Sequence, residues 1–147
     1  MSEEQDGEGV DYGALFSESF KRLTGGVDGH AFYMRFYEHF VERSEEIRKF
    51  FAESDMIAQA TMIEFSLPFL TRFAQTHVCS KALAEIAKGH AELGIPTQLY
   101  TDWVEALLQT VQERDPEHNE AVELAWRITL APGVEFMRGS AREQTGA

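Results

Sequence analysis

The feature that most constrains the fold is a histidine on the apolar face of a helix. Between Leu83 and Trp103, a repeat of 3.6 residues places His90 on the same face as Leu83, Ile86 and Leu93. A neutral imidazole there loses hydration unless a metal ion or another polar group engages its nitrogens. The pattern leaves two interpretations open: a ligand histidine, or a core histidine bonded to backbone carbonyls.

A corner and a second amphipathic helix follow this histidine. Gly94 ends the first helix, and Ile95 with Pro96 forms the corner. The second helix runs from Pro96 or Thr97 to about Arg114 and carries one large apolar face, formed by Tyr100, Trp103, Leu107 and Val111. Two helices are therefore predicted to meet beside His90.

The rest of the chain has the same helical periodicity. Spacings of three and four residues predict helices over about 12–23, 28–43, 44–51, 55–76, 80–93 and 117–142, and a kink is expected at Pro132 and Gly133. No segment shows the alternation of a strand. The sequence predicts an all-α domain of seven or eight helices over residues 11–143, preceded by an acidic flexible tail over residues 1–10.

Charge and cysteine content exclude several classes of protein. A formal net charge of −12 argues against binding to nucleic acid or to an anionic membrane surface. Cys79 is the single cysteine, which rules out an intrachain disulfide and a zinc site built from several thiolates. There is no apolar run of the roughly 20 residues that span a bilayer, and no signal peptide, so a cytoplasmic location is expected.

Two helices carry unusual side chains. The helix over 28–43 has aromatic residues on two adjacent faces, which predicts burial against more than one surface: Phe32, Phe36 and Phe40 on one, Tyr33 and Tyr37 on the next. On the helix over 55–76, Gln59 interrupts an apolar face. Gln59 is either a functional amide or a residue half-buried at a helix start. His30 and His39 are predicted to be surface residues, and His77 and His118 to lie in loops.

Several segments together resemble a bacterial single-domain haem globin. Residues 36–51 resemble the second and third globin helices, and residues 50–59 resemble the start of the distal helix in truncated haemoglobins. Residues 88–100 are similar to the proximal segment of bacterial haemoglobins and flavohaemoglobins. The resemblance covers nearly the whole chain after the tail, and it implies a globin fold with a three-over-three helical sandwich around haem b.

The resemblance also implies roles for individual residues. His90 would be the proximal iron ligand, and Tyr37, Gln59 and Trp103 would be the distal polar residues. Trp103 could equally be a core aromatic residue between helices. The residues implied to contact the cofactor are Phe51, Ile63, Leu67, Ile86, Leu93, Ile95 and Tyr100. Tyr100 matches the tyrosine of the flavohaemoglobin proximal network, but Ala141 occupies the position of its glutamate, and neither Glu135 nor Glu143 matches.

The implied function is binding of dioxygen, nitric oxide and carbon monoxide at a five-coordinate iron. Three distal donors would slow the release of dioxygen, which suits reaction with the bound gas better than bulk delivery. Nitric oxide dioxygenation would then need a separate reductase, so enzyme activity is left open. The alternatives are a gas or redox sensor acting through a partner protein, and a haem-free globin used as an interaction module. The chain is expected to be a monomer or a homodimer.

Overall fold

The described part of the chain is helical throughout. The computed structural model describes residues 9–26 and 29–144, and these contain seven helices and no strand. In chain order the helices are α1 (Tyr12–Thr24), α2 (Gly29–Val41), α3 (Glu45–Phe50), α4 (Met56–Thr76), α5 (Lys81–Glu92), α6 (Gln98–Arg114) and α7 (Glu120–Gln144). The predicted fold class is confirmed. The predicted acidic tail falls mostly on residues 1–8, which lie outside the described residues.

Side-chain caps fix where four of these helices begin. In each case a Ser or Asp oxygen accepts a hydrogen bond from a backbone N–H of the first turn; the capping residues are Asp11, Ser44, Asp55 and Ser80. Those N–H groups have no partner within the helix, so a side-chain acceptor stabilises the helix start. The predicted starts near residues 55 and 80 rest on these caps.

The helices form two layers of three, with the short α3 connecting α2 to α4. One layer contains α2, α6 and α7, where α6 contacts both of the others. The second layer contains α1, α4 and α5, and each of these packs across α7, while α4 also packs on α2. This is the predicted three-over-three sandwich. Among the described residues, no helix is long and apolar enough to cross a membrane.

The aromatic helix α2 lies at the centre of the core. Its aromatic residues are all nearly inaccessible: Phe32, Tyr33, Phe36, Tyr37 and Phe40. Both faces are buried because α4 covers one side of the helix and α6 covers another. The prediction of burial against more than one surface is therefore confirmed. Tyr37 lies on a helix that is packed on both sides.

The prediction that His39 is a surface residue is wrong. His39 is only 6% exposed, and its Nε2 lies 2.5 Å from Oε1 of Glu113 on α6. Arg35 donates to the same carboxylate from one turn earlier on α2. The side chain is buried because α6 packs along this face of α2, a contact between helices that periodicity within α2 does not reveal.

A buried polar network joins the first helix to the last. The indole N–H of Trp126 donates to Oγ of Ser19 at 2.9 Å, and the Ser19 hydroxyl donates to Asp115 at 2.5 Å. Arg22 donates to both oxygens of Asp115, at 2.8 and 2.9 Å. Every residue of this network is hydrogen-bonded, and buried polar groups stabilise a core only under that condition.

This network predicts a loss of stability in acid. Burial alone would raise the pKa of the Asp115 carboxyl, but hydrogen bonds from Arg22, Ser19 and the Glu117 N–H outweigh burial and lower the pKa to about 2. Because this pKa is lower in the folded protein than the unfolded value of 3.8, the ionised carboxylate stabilises the folded state by about 2 kcal/mol at pH values above 3.8. This stabilisation is lost as the pH falls through about 2.

Urea unfolding of Asp115→Asn across this pH range checks the prediction. At pH 7 we expect the variant to be about 2 kcal/mol less stable than the parent, and the difference to shrink as the pH falls from about 4 to 2. Asp55→Asn is the control, because Asp55 caps α4 at an exposed position and Asn caps equally well. A pH-independent difference for Asp115→Asn would contradict the proposed linkage.

Glycine at position 133 permits a close approach between α7 and α4. The helix α7 continues through Pro132 and Gly133 to Gln144. A Cβ added at Gly133 would lie 2.4 Å from Cδ2 of Leu70 and 3.3 Å from its Cα. Because the Leu70 backbone is also close, a change of side-chain rotamer alone cannot make room.

Two glycine-to-alanine substitutions in α7 should therefore have opposite effects. Gly133→Ala should lower the free energy of unfolding by roughly 1 to 2 kcal/mol, because it overpacks the contact with Leu70. Gly139→Ala should raise it by about 0.5 to 1 kcal/mol, since nothing lies within 4 Å of its added Cβ and alanine favours a helix. Denaturant unfolding of both variants measures this; equal shifts would contradict the close contact.

Candidate functional site

The helix α5 holds His90 at the edge of the core. Ser80 caps the helix, and its Oγ accepts from the N–H of Leu83 at 3.0 Å. Leu83, Ala87 and Ala91 are buried on the side of α5 that packs on α7. His90 is half-buried beside this stripe. The apolar contacts of α5 therefore fix the helix and, with it, the position of the imidazole.

The hydrogen bond of His90 fixes which ring nitrogen carries the proton. Nδ1 lies 2.9 Å from the backbone oxygen of Ile86, one turn earlier. A carbonyl oxygen can only accept, so Nδ1 is the donor and Nε2 of the neutral ring keeps a free lone pair. Nε2 has no hydrogen-bond partner among the described residues. This is the arrangement that orients a histidine for metal binding.

The other histidines have different surroundings. His30, His39 and His118 each face a carboxylate, from Glu64, Glu113 and Glu123 respectively. His77 is exposed at the end of α4, with φ of 61°. Among the described residues, no group of three or more His, Cys, Asp or Glu side chains could hold a metal ion. A metal bound by His90 would therefore need further ligands from outside such a group of described residues.

Tyr37 is a buried ring whose hydroxyl is unpaired in the described part of the chain. Tyr37 is 6% exposed, yet its hydroxyl makes no hydrogen bond to any described residue. Its ring packs edge-on against Phe51, with centroids 5.7 Å apart, and against Phe36 at 4.8 Å. Burial raises the pKa of Tyr37 to about 12, so the hydroxyl stays protonated at neutral pH and is a donor.

The inner face of α4 combines apolar residues with one amide. Ile63 and Leu67 are buried, at 3% and 0% exposure, on the side of the helix that faces α2 and α7. Gln59 is half-buried one turn before Ile63, and its amide forms no hydrogen bond within the described part of the chain. The amide is therefore neither deep in the core nor satisfied by the protein.

Phe36 connects the two aromatic residues with a predicted distal role. Its ring packs edge-on against Trp103, with centroids 5.6 Å apart, as well as against Tyr37. Trp103 is half-buried, and its indole N–H has no acceptor among the described residues. The fully buried Trp126 contrasts with it, since that indole N–H is bonded to Ser19. Phe36 was predicted only to be buried, and no contact with the distal residues was predicted for it.

The hydroxyl of Tyr100 is buried near the start of α6. Tyr100 is 7% exposed, and its hydroxyl has no hydrogen-bond partner in residues 9–26 and 29–144. Burial raises its pKa, although nearby Arg138 opposes the shift. Glu135 pairs with Arg138 at 3.3 Å, while Glu143 is exposed. Neither glutamate is bonded to the Tyr100 hydroxyl, so no carboxylate of the described residues pairs with it.

The corner after α5 separates two of the predicted apolar residues. Gly94 has a φ of +72°, a conformation that glycine adopts without strain. Ile95 after it is half-buried and packs on the core. Leu93 before it is 68% exposed. Its helical spacing predicted contact with the core, and the structure does not show that contact. Ile86 is half-buried beside His90.

The helices α4 and α5, which carry Gln59 and His90, contact each other only slightly across the described residues. Both pack closely on α7. Two small surface cavities lie elsewhere: one of about 210 Å³ between α6 and α7, and one of about 240 Å³ between α5 and α7. Neither is lined by His90, Tyr37 or Gln59.

The unpaired donors are of the kind that haem would use. Its iron needs one axial base, which Nε2 of His90 would supply, and its macrocycle would provide further ligands. A bound ligand on the iron needs hydrogen-bond donors, and Tyr37 and Gln59 have unpaired ones.

Comparison with known proteins identifies the fold. The chain is similar to a protein from Pseudomonas aeruginosa whose crystal structure is described as structurally highly homologous to a human haemoglobin. The TM-score is 0.80 and the identity is 26%, over 89% of this chain and 98% of that one. The fold is haemoglobin-like. No family model and no curated protein matches the chain.

The haemoglobin-like fold agrees with the geometry reached from the residues. The likeness extends over nearly the whole of both chains. It supports the prediction of a globin-like bacterial protein. The assignment of individual residues to a haem site rests on the hydrogen bonds and burial described above.

Proposed function

We propose that this protein binds haem b through His90 and holds a diatomic gas on the distal side. The observation that carries the proposal is the bond from His90 Nδ1 to the carbonyl of Ile86, which leaves Nε2 free. In a purely structural core histidine, both ring nitrogens are expected to have hydrogen-bond partners, whereas Nε2 of His90 has none among the described residues. When bound, haem supplies an iron that takes up dioxygen, nitric oxide or carbon monoxide.

The chain contributes an apolar enclosure and a rigid support for the ligand histidine. In the proposal the residues that contact haem are Phe51, Ile63, Leu67, Ile86, Leu93, Ile95 and Tyr100. Leu93 is exposed in the chain alone, and contact with a large apolar cofactor would bury it, which favours binding. Ile86 has a second role, because its carbonyl orients His90.

The distal donors determine how long a gas stays bound. The proposed donors are the hydroxyl of Tyr37, the amide of Gln59 and the indole of Trp103, none of which is engaged elsewhere in the described chain. Dioxygen on ferrous haem carries partial negative charge, so it accepts hydrogen bonds. At roughly 1 to 1.5 kcal/mol each, two such bonds slow release by about ten- to a hundredfold or more.

Slow release favours reaction with the retained gas. Dioxygen held in this way can combine with nitric oxide and one electron to give nitrate, which would remove nitric oxide. The ferrous iron of haem would supply this electron, and a separate reductase would have to restore it for further turnover. Nitrate measured after adding nitric oxide to the dioxygen-loaded protein tests the reaction, and turnover with a reductase and reduced nicotinamide tests whether it is catalytic.

The visible spectrum tests the proposal directly. We expect the purified protein, supplied with haemin and reduced, to show a strong Soret band that shifts when carbon monoxide is added. The shift establishes both haem uptake and an accessible distal site. A protein that is folded by circular dichroism but takes up no haem would contradict the proposal and favour the haem-free interaction module.

A further inference from the structure

Phe36 on α2 is a completely buried ring that contacts two of the proposed distal donors. Its side chain is 0% exposed. Its ring centroid lies 4.8 Å from that of Tyr37 on the same helix and 5.6 Å from that of Trp103 on α6. Both contacts are edge-on, an arrangement that aromatic rings prefer. One apolar side chain therefore contacts donors from two helices.

The two donors depend on Phe36 to different extents. Tyr37 also packs on Phe40 at 6.3 Å and on Phe51 at 5.7 Å, so two ring contacts would remain without Phe36. Trp103 has no ring contact other than Phe36 among the described residues. Its indole is half-buried and its N–H is unpaired there, so neither deep burial nor a hydrogen bond fixes its orientation. Phe36 is thus the aromatic neighbour in the described chain that can orient this indole.

Phe36 itself is held from several sides. Its ring stacks on that of Phe40, with centroids 5.6 Å apart and an interplanar angle of 14°. The helix α2 that carries it packs on both α4 and α6. A large side chain without exposure in a close-packed core has little freedom to move. Phe36 is therefore a fixed support, whereas the half-buried Trp103 has more freedom.

We propose that Phe36 is the positioning residue for Trp103, and that its ring holds the indole N–H in the orientation that donates to the bound gas. This inference rests on the proposed function, in which Trp103 is a distal donor. A hydrogen bond weakens steeply as its angle closes, so a donor that can rotate stabilises the gas less than one that is held. Phe36 has no polar atom and acts only through the indole. Tyr37 keeps its other ring contacts and needs Phe36 less.

Fluorine NMR of the haem-free chain tests the contact by itself. The chain contains two tryptophans, so protein labelled with 5-fluorotryptophan gives two resonances, and Trp103→Phe identifies one of them. Phe36→Leu should shift the Trp103 resonance and leave that of Trp126 in place. Phe32→Leu is the matched control, because Phe32 lies one turn earlier, is equally buried and has its ring 6.2 Å from Trp126. It should shift the Trp126 resonance instead.

Dioxygen dissociation from the haem-loaded variants tests the effect on the donor. Loss of one hydrogen bond corresponds to about five- to tenfold faster release, so Trp103→Phe sets the upper limit. Phe36→Leu should raise the rate several-fold, up to that limit, and Phe32→Leu should leave it unchanged. Phe36→Met is the second variant if the leucine variant does not fold, since methionine fills irregular space in a core but provides no ring.

Two double variants distinguish positioning of the indole from a general loosening of the core. If Phe36 acts through the indole, adding Phe36→Leu to Trp103→Phe should not raise the rate further. Adding it to Tyr37→Phe should multiply the two single effects, because two separate donors are then impaired. The infrared stretching frequency of bound carbon monoxide gives a second readout. Phe36→Leu should move this frequency in the same direction as Trp103→Phe does.

Three results would overturn the proposal in protein that binds haem. The first is an unmoved Trp103 resonance in Phe36→Leu, which would show that the ring does not orient the indole. The second is a shifted resonance with a dissociation rate equal to that of the parent. The third is a double variant of Phe36 and Trp103 whose two effects multiply, which would leave Phe36 with a purely structural role. A parent that binds no haem refutes the proposed function, while the fluorine resonances still show whether the ring contact exists.

Discussion

Replacing His90 with glycine should abolish tight haem binding and leave the protein folded. We expect the haem affinity to fall by more than about a hundredfold, because removing a ligand costs more than the 10- to 100-fold loss typical of removing a residue that orients one. Titration of haemin into the purified variant, followed by the Soret band, measures the loss. Free imidazole added to the variant should restore the band, since it can occupy the space of the missing side chain.

A second histidine provides the control for this experiment. His77 is exposed at the end of α4 and has a φ of 61°. Asparagine tolerates that left-handed conformation, so His77→Asn removes an imidazole at little cost to the fold. Its haem affinity should equal that of the parent. If imidazole does not rescue His90→Gly while the variant is folded, His90 is not the axial ligand.

Replacing Tyr37 with phenylalanine should speed the release of dioxygen. The substitution removes one hydroxyl and keeps the ring that packs on Phe36 and Phe51. One hydrogen bond of roughly 1 to 1.5 kcal/mol corresponds to an increase of about five- to tenfold in the dissociation rate. Stopped-flow displacement of dioxygen by carbon monoxide measures the rate.

Tyr33→Phe is the matched control, because Tyr33 lies one turn earlier on α2 and is equally buried. Its ring packs on Phe32, away from Phe51. The dissociation rate should be unchanged in this variant. A normal rate in Tyr37→Phe, together with a faster one in Trp103→Phe, would assign the donor to the indole instead of the phenol.

The helices could be predicted because their signals are local. Asp55 and Ser80 follow gaps in the apolar pattern and cap α4 and α5 as expected. Gly94 adopts the positive φ that its position at the end of a helix suggested. Each of these signals depends on a few consecutive residues, so no knowledge of the tertiary structure is needed.

The site could be predicted only in part. The spacing placed His90 on one face with Leu83, Ile86 and Leu93, whereas the buried residues of α5 are Leu83, Ala87 and Ala91, and Leu93 is exposed. The hydrogen bond to Ile86, which decides the tautomer, depends on a rotamer and is not visible in a pattern of residue types. The ring contact between Phe36 and Trp103 joins residues far apart in the sequence, and only the packing of α2 on α6 brings them together.

His39 and Ser19 are polar residues whose partners lie far away in the sequence. Both are buried, and a distant residue satisfies each of them. The partner of His39 is Glu113, 74 positions later, and the partners of Ser19 are Asp115 and Trp126. The surface assignment of His39 was wrong because the sequence alone does not show that Glu113 lies against it.

The network around Ser19 also sets an order of events during synthesis. Ser19 and Trp126 are separated by 107 positions. At 5 to 20 residues per second, a ribosome takes roughly 5 to 20 s to proceed from one to the other. During that interval α1 has no final packing partner in α7, and its apolar face is open to chaperones. The nascent chain therefore completes its core only when its last helix has emerged.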